Sequence, residues 1–289
     1  MLVEKPSWID ALHSHFSGES QRVFSKTQLT ARISEAASRV DIDDLTTEQV
    51  LESLIEHGVI QKKIFASQKY HPHVRFALPD ASIYQLALSL RPGSFFSHGS
   101  AVFLHGLTQQ LPRTLYVNKE QSVKPAATGQ LSQEAIDRAL ANRQRESQYI
   151  FQLDDWRIVL LNGKNTGSLE VGELAGPDGL PLAVTKLERT LIDIAVRPTY
   201  AGGVHQVLEA YAAAKTKVSV NVLVATLQKM NYVYPYHQVI GFYMQRAGFE
   251  ESRLTRLRGL GMRFDFYLSN AIKDRDYDAR WRLFIPKGF

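Results

Sequence analysis

The sequence predicts an α+β protein in two parts, a small unit over residues 1–80 and a larger mixed α+β unit over residues 81–289. Three observations lead there. Helical apolar spacing dominates the first 57 residues and then gives way to two short strand-like runs about a polar turn. Further strand-like runs cluster between residues 115 and 184 and again at the C-terminus, whereas 185–258 is helical almost throughout. Segregated helices and strands are the mark of α+β architecture, in contrast to the alternation of α/β folds. The chain's 289 residues fit two domains, and 44% hydrophobic content supplies a core for the larger one.

The elements follow in order. Pro6 precedes a short helix with Trp8, Leu12 and Phe16 on one face, ended by Gly18. A turn leads through Val23-Phe24 to a second helix carrying Leu29, Ile33, Ala36 and Ala37. After the acidic stretch DIDD, Thr46 or Thr47 can cap a third helix with Val50, Leu51, Leu54 and Ile55 inward, and Gly58 stops it. Residues 59–65 and 74–78 then read as a hairpin around SQKYHPH. Three helices followed by a two-stranded ribbon is the order of a winged helix-turn-helix. The second part opens with helices at IYQLALSLRPG and SFFSHGSAVFLHGLT. LYVNK is a strand, SQEAIDRALANRQRE an amphipathic surface helix, and YIFQL and RIVLLNG are strands around the turn DDW. LPLAV is a strand before the helical block, and the chain closes on strands at MRFDFYLS and WRLFIP.

Composition narrows the function. There is no cysteine, which excludes disulfides, thiolate metal sites and a cysteine nucleophile. No apolar run of 18 residues occurs, so no membrane span is expected, and the N-terminus lacks the pattern of a signal peptide. A cytoplasmic location is therefore expected. The net charge of +5 suits an acidic partner such as nucleic acid. Residues 1–80 hold 9 Lys+Arg and 11 Asp+Glu, a net of −2, and residues 81–289 hold the other 25 and 18, a net of +7. The most basic stretch, RLTRLRGLGMR, carries Arg253, Arg256, Arg258 and Arg263 without an acid.

Two stretches carry a family resemblance. Residues 97–108, SHGSAVFLHGLT, are followed by Pro112 and the strand at Tyr116; residues 184–203 read VTKLERTLIDIAVRPTYAGG. Together they resemble the AbiEi family of abortive-infection antitoxins. The resemblance implies a type IV antitoxin that represses its own operon by binding double-stranded DNA repeats in its promoter. It also implies antagonism of a nucleotidyltransferase toxin without a stable complex.

The candidate DNA-binding residues follow from that expectation and from the charges. In the second helix they are Lys26, Gln28, Arg32 and Arg39, and in the third Thr47 and Gln49. The hairpin offers Lys62, Lys63, Lys69, His71, His73 and Arg75. Because the third helix also carries Glu48, Glu52 and Glu56, phosphate contact is expected from the hairpin and second helix more than from the third. The arginine run at 253–263 is the candidate in the larger part, against the plainer alternative of a solvated helix end.

Other motifs read as architecture. Thr185 and Glu188 match a capping box, and Arg189 and Asp193, four apart, can pair across one helical turn. Gly202-Gly203 suits a tight turn into the next helix, since no phosphate-loop Lys-Ser/Thr follows. Gly99-Ser100 resembles the opening of a nucleotidyltransferase site, but residues 101–119 contain no acid to hold Mg²⁺. Asp154-Asp155 reads as a turn, Asp265 lacks the Glu-x-Lys of a metal-dependent nuclease, and the His13/His15 and His71/His73 pairs have no clear carboxylate partner. No catalysis, metal or cofactor is therefore expected. The competing expectation is a cryptic metal-dependent nuclease or nucleotidyl-modifying enzyme fused to a DNA-reading module.

Overall fold

The computed structural model describes residues 6–18, 21–37, 42, 45–124 and 130–289. Arg39 and most of the DIDD stretch lie outside the described residues. The chain forms two compact units, one of Met1–Pro92 with Tyr149–Ile158, the other of Gly93–Gln148 with Val159–Phe289. This division differs from a cut at residue 80 in two ways. The helix after Pro79-Asp80 belongs to the first unit, and so does a ten-residue segment that arrives from much later in the chain.

In the first unit, α1 (Ser7–Ser17) buries Ile9, Leu12 and Phe16. The i, i+3, i+7 spacing selects Ile9, not Trp8, as the first inward residue. Strand β1 (Val23–Phe24) leads to α2 (Lys26–Ala37), with Leu29, Ile33 and Ala36 buried. Thr46 begins α3 (Thr47–Glu56): its hydroxyl accepts the Gln49 N–H while the Gln49 side chain accepts the Thr46 N–H, a complete capping box. Gly58, at φ 70°, turns the chain out of α3, a conformation that only glycine adopts cheaply. Antiparallel strands β2 (Gln61–Phe65) and β3 (His73–Ala77) follow, with Lys63 opposite Arg75, and the sheet order is β1-β3-β2. The capped helix α4 (Ile83–Ser89) buries Tyr84, Leu86 and Ala87 and packs on β1 and β3. The returning segment contains β6 (Ile150–Leu153) and the start of β7 (Trp156–Gly163), joined through Asp154 at φ 52°.

The second unit is larger. Strand β4 (Phe95–Phe96) precedes α5 (His98–Leu104), so the stretch expected as one helix from residue 94 begins as a strand. Strand β5 (Thr114–Glu120) and α6 (Gln133–Leu140) follow; α6 ends well before the expected Glu146. Strands β8 (Val171–Ala175) and β9 (Pro181–Thr185) complete a sheet in which β7, β5, β4, β9 and β8 are successive neighbours. The helical block is α7 (Leu187–Val196), a 3₁₀ turn (Pro198–Ala201), α8 (Val204–Ala214), α9 (Val220–Met230), α10 (Tyr236–Arg246) and α11 (Glu251–Arg258). A small closing sheet has the order β10 (Phe266–Tyr267), β12 (Leu283–Pro286), β11 (Arg275–Asp278). Strands β8 and β11 had no strong sequence signal: β8 alternates half-buried and exposed positions, and β11 is largely exposed.

The core of this unit sits among α7–α11 and the closing sheet. Trp281 is fully buried there, its indole N–H donating to Gln245 at 2.6 Å. Its ring lies so close to Gly241 of α10 that a Cβ there would stand 2.1 Å from it. Glycine is therefore required at 241 by close approach rather than by backbone angle.

Candidate nucleic-acid interface

The outer surface of the first unit gathers most of the sequence candidates, and their partners divide them into two groups. Those on the helices are engaged locally. Lys26 pairs with Glu48 at 2.9 Å, and Arg32 with Glu35 at 3.4 Å. The Gln28 side-chain oxygen accepts the Ser25 N–H at 2.8 Å, and the Ser25 hydroxyl accepts the Gln28 backbone N–H, so Gln28 closes the first turn of α2. Gln49 has the same task in α3, where its oxygen accepts from both the N–H and the hydroxyl of Thr46 at 2.9 Å. Thr47, half-buried, is the first residue of α3 and not its cap. Glu48, Glu52 and Glu56 are all exposed and recur every fourth residue, so they form one acidic row along α3.

The hairpin is different. Lys62 is exposed and Lys63 half-buried on β2, and neither side chain has a partner among the described residues. Ile64, 51% exposed, shares a strand face with Lys62. Lys69 and His71 are exposed on the turn. Arg75 is more engaged than the lysines. Its guanidinium donates to the carbonyls of Val74 (2.8 Å), Ser89 (3.0 and 3.2 Å) and Leu90 (3.5 Å), and burial lowers its pKa. It fastens β3 to the C-terminus of α4, where a cation also suits the helix dipole, so most of its donors are used within the unit. Burial, and then Arg75, lowers the pKa of neighbouring His73.

In the second unit the arginine run is less available than its sequence suggests. Arg253 donates to the Lys215 carbonyl at 3.2 Å. Arg258 pairs with Glu251, which also holds Arg280, so a stretch without acids acquires one in space. The Arg263 guanidinium lies 5.0 Å from the centroid of the Phe264 ring. Arg256 alone of the four is exposed with no side-chain partner among the described residues.

The most strongly organised charges of the second unit are buried. Arg189 of α7, 2% exposed, meets Asp193 and Glu120, each at 3.3 Å, and also donates to the Thr166 hydroxyl and the Leu169 carbonyl. One cation thus stands between two carboxylates. Desolvation acts against the Glu120 carboxylate, but hydrogen bonds from Thr166 and Ser168 and the charge of Arg189 outweigh it, so its pKa falls. Asp193 has no such set of donors. Burial pushes its carboxyl up to about 6 against the pull of Arg189. Desolvation also opposes the Arg189 charge, and Asp193, Tyr232 and Glu120 overcome it. The Arg189–Asp193 pair matches its four-residue spacing, but Glu120 and Thr166 lie 69 and 23 residues from Arg189 and had no local signal.

The Thr185–Glu188 capping box is not formed. Thr185 is the last residue of β9, fully buried, with its hydroxyl 2.8 Å from that of Thr190. Lys186 stands at the N-cap of α7 without a side-chain cap, and the Glu188 carboxylate accepts the Ser219 N–H at 2.8 Å. Strand pairing of Thr185 with Val171 took precedence over the local helix signal. Gly202 (φ 85°) ends the 3₁₀ turn and Gly203 begins α8.

Sites considered for enzymes have structural partners. The Ser100 hydroxyl accepts the Tyr116 N–H at 2.7 Å, and a Cβ on Gly99 would stand 2.9 Å from the Tyr200 carbonyl oxygen. Asp265 accepts from Arg282 at 2.9 Å and from Tyr277 at 2.7 Å. Among the described residues no three His, Asp or Glu side chains gather where they could hold a metal. No helix of the described residues is long and apolar enough to cross a membrane.

No protein-family profile matches the chain, and no curated protein matches it by sequence. Among solved structures it is similar to the crystal structure of the RV2827C protein from Mycobacterium tuberculosis, with a TM-score of 0.59 over 97% of this chain and 92% of that one. Sequence identity is 14%, so the likeness concerns the fold alone, a mixed α+β architecture.

Proposed function

We propose that the chain is a DNA-binding regulator that represses its own operon and serves as the antitoxin of a type IV, AbiEi-like system. In this reading the first unit is a winged helix, with α2 and α3 as the helix-turn-helix and β2-β3 as the wing. The observation that carries the proposal is the pair Lys62 and Lys63 on β2, cations without a partner among the described residues, in a unit whose helical basic groups Lys26 and Arg32 are engaged. Lysines placed this way neutralise phosphates and release counterions, which gives affinity with a steep salt dependence. The acidic row Glu48, Glu52 and Glu56 disfavours deep seating of all of α3 against the phosphate backbone. The wing therefore supplies most of the phosphate contact, and sequence discrimination is confined to the polar N-terminal end of α3 and to DNA shape. The second unit is assigned the antitoxin role on the motifs at residues 97–108 and 184–203. No catalytic step is required of it.

The test is fluorescence anisotropy of the full chain on a duplex from the promoter upstream of its own reading frame, beside a random duplex of equal length. Preferential, salt-sensitive binding to the promoter is expected, and equal binding to both duplexes would sink the repressor reading. Antitoxicity is tested separately by co-expression with a nucleotidyltransferase encoded by an adjoining frame, where growth rescue is expected and continued growth arrest would remove the antitoxin assignment.

A further inference from the structure

The hairpin that carries Lys62 and Lys63 is held at its tip by the segment that rejoins the first unit from residue 149. Just beyond β2, the Ala66 N–H donates to the Gln152 carbonyl at 2.9 Å and the Gln152 N–H to the Ala66 carbonyl at 2.8 Å, an antiparallel bridge. Tyr70, within the turn, stacks on Tyr149 with ring centroids 4.3 Å apart and planes 14° from parallel. Phe151, 1% exposed, receives the His73 ring at 4.8 Å on the returning side. The turn of residues 66–72 is therefore gripped at its start, its middle and its end, while Lys69 and His71 remain exposed on it.

Hairpin turns of this length are ordinarily among the mobile parts of a domain, and ordering one on binding costs conformational entropy. Here the order exists beforehand. We propose that Tyr149 is a positioning residue that braces the wing for nucleic acid, so that a strand distant in sequence sets the affinity of the β2-β3 hairpin for duplex DNA. The proposal rests on the DNA-binding reading above. The stack also favours a brace over a base-stacking platform, because each tyrosine ring covers a face of the other. The brace lies beyond any N-terminal fragment that ends at Pro92, so the covalent chain obliges the wing to depend on residues encoded after the second unit has begun.

The experiment uses the full chain with Tyr149→Ala and Tyr149→Phe, measured by amide hydrogen exchange over residues 66–72 and by anisotropy on the promoter duplex. Tyr149→Ala is expected to speed exchange in the turn and weaken binding by about three- to tenfold, the scale of one aromatic pair. Tyr149→Phe keeps the ring but loses the hydroxyl that meets Tyr70, and should stay closer to the unmodified chain than Tyr149→Ala in both. In a background of Lys62→Ala with Lys63→Ala, Tyr149→Ala should cost less than it does alone, a non-additivity that general loss of stability would not give. If Tyr149→Ala unfolds the first unit, Tyr149→Leu, which keeps apolar bulk but no planar stack, carries the same measurements. Unchanged exchange overturns the brace whatever the DNA result, and faster exchange with unchanged affinity overturns its role in recognition. If the unmodified chain does not prefer the promoter duplex, the DNA reading fails and this proposal with it, with the exchange data showing whether the brace itself exists.

Discussion

Lys62 and Lys63 in the first unit and Arg189 in the second are cations in opposite circumstances. The lysines stand on a strand with no partner among the described residues, whereas Arg189 is 2% exposed and bonded to two carboxylates, a hydroxyl and a carbonyl. A desolvated ion is tolerable only when its hydrogen bonds and counter-charges are supplied from within, so the Arg189 cluster serves the fold. An exposed cation without a partner loses little by meeting a phosphate. Surface charge with nothing to do inside the molecule is thus a better guide to an acidic ligand than arginine density, which in 253–263 is largely absorbed by Glu251, Lys215 and Phe264.

The sharpest way to break this comparison is to remove the buried cation. Arg189→Ala leaves two carboxylates facing each other without a counter-charge and should destabilise the chain by about 3–5 kcal/mol in chemical denaturation. A loss no larger than that of an exposed substitution would mean that the cluster is not structural. Next in size is Gly241→Ala, whose methyl group would collide with the Trp281 ring. Overpacking of that kind costs about 1–3 kcal/mol, read as a lower thermal midpoint, and an unchanged midpoint would show that the tryptophan moves freely.

A smaller effect concerns pH. The folded Asp193 carboxyl, raised from 3.8 to about 6, holds a proton that the unfolded chain has already released across that interval. Its contribution to stability is therefore full below 3.8 and is lost as pH rises through about 6. Glu120 acts the other way: with its pKa depressed below 4.5, its contribution is lost only as pH falls below that value. Asp193→Asn should accordingly flatten the stability profile between 4.5 and about 6 relative to the unmodified chain. A parallel slope in the two proteins would assign the proton to another group.

Legibility in the sequence followed the reach of each interaction. The α3–hairpin region was readable because its signals are local: Thr46 and Gln49 three residues apart, Val50, Leu51 and Leu54 inward, and Gly58 at the stop. The same holds for Arg189 and Asp193. What could not be read joins distant segments. Residues 149–158 look like any other hairpin, and nothing local says that they complete the first unit. Glu120 sits at the end of a strand with no hint of Arg189, and Thr185 carried a helix-start signal that pairing in β9 overrode. The internal bonds of Arg75 have no local signal for the same reason, since its acceptors at Ser89 and Leu90 belong to the following helix.

The smallest expected change in stability belongs to the residues on which the proposed function rests, and it gives the most direct test. Lys62→Ala with Lys63→Ala should leave the stability nearly unchanged, within about 0.5 kcal/mol, because neither side chain has a partner among the described residues. On the promoter duplex, anisotropy over a salt series should show weaker binding and a slope of log affinity on log salt reduced by about 1 to 2, one counterion for each lysine that meets a phosphate. A double variant that binds with the affinity and salt slope of the unmodified chain would contradict the account and take the β2-β3 hairpin out of the proposed interface.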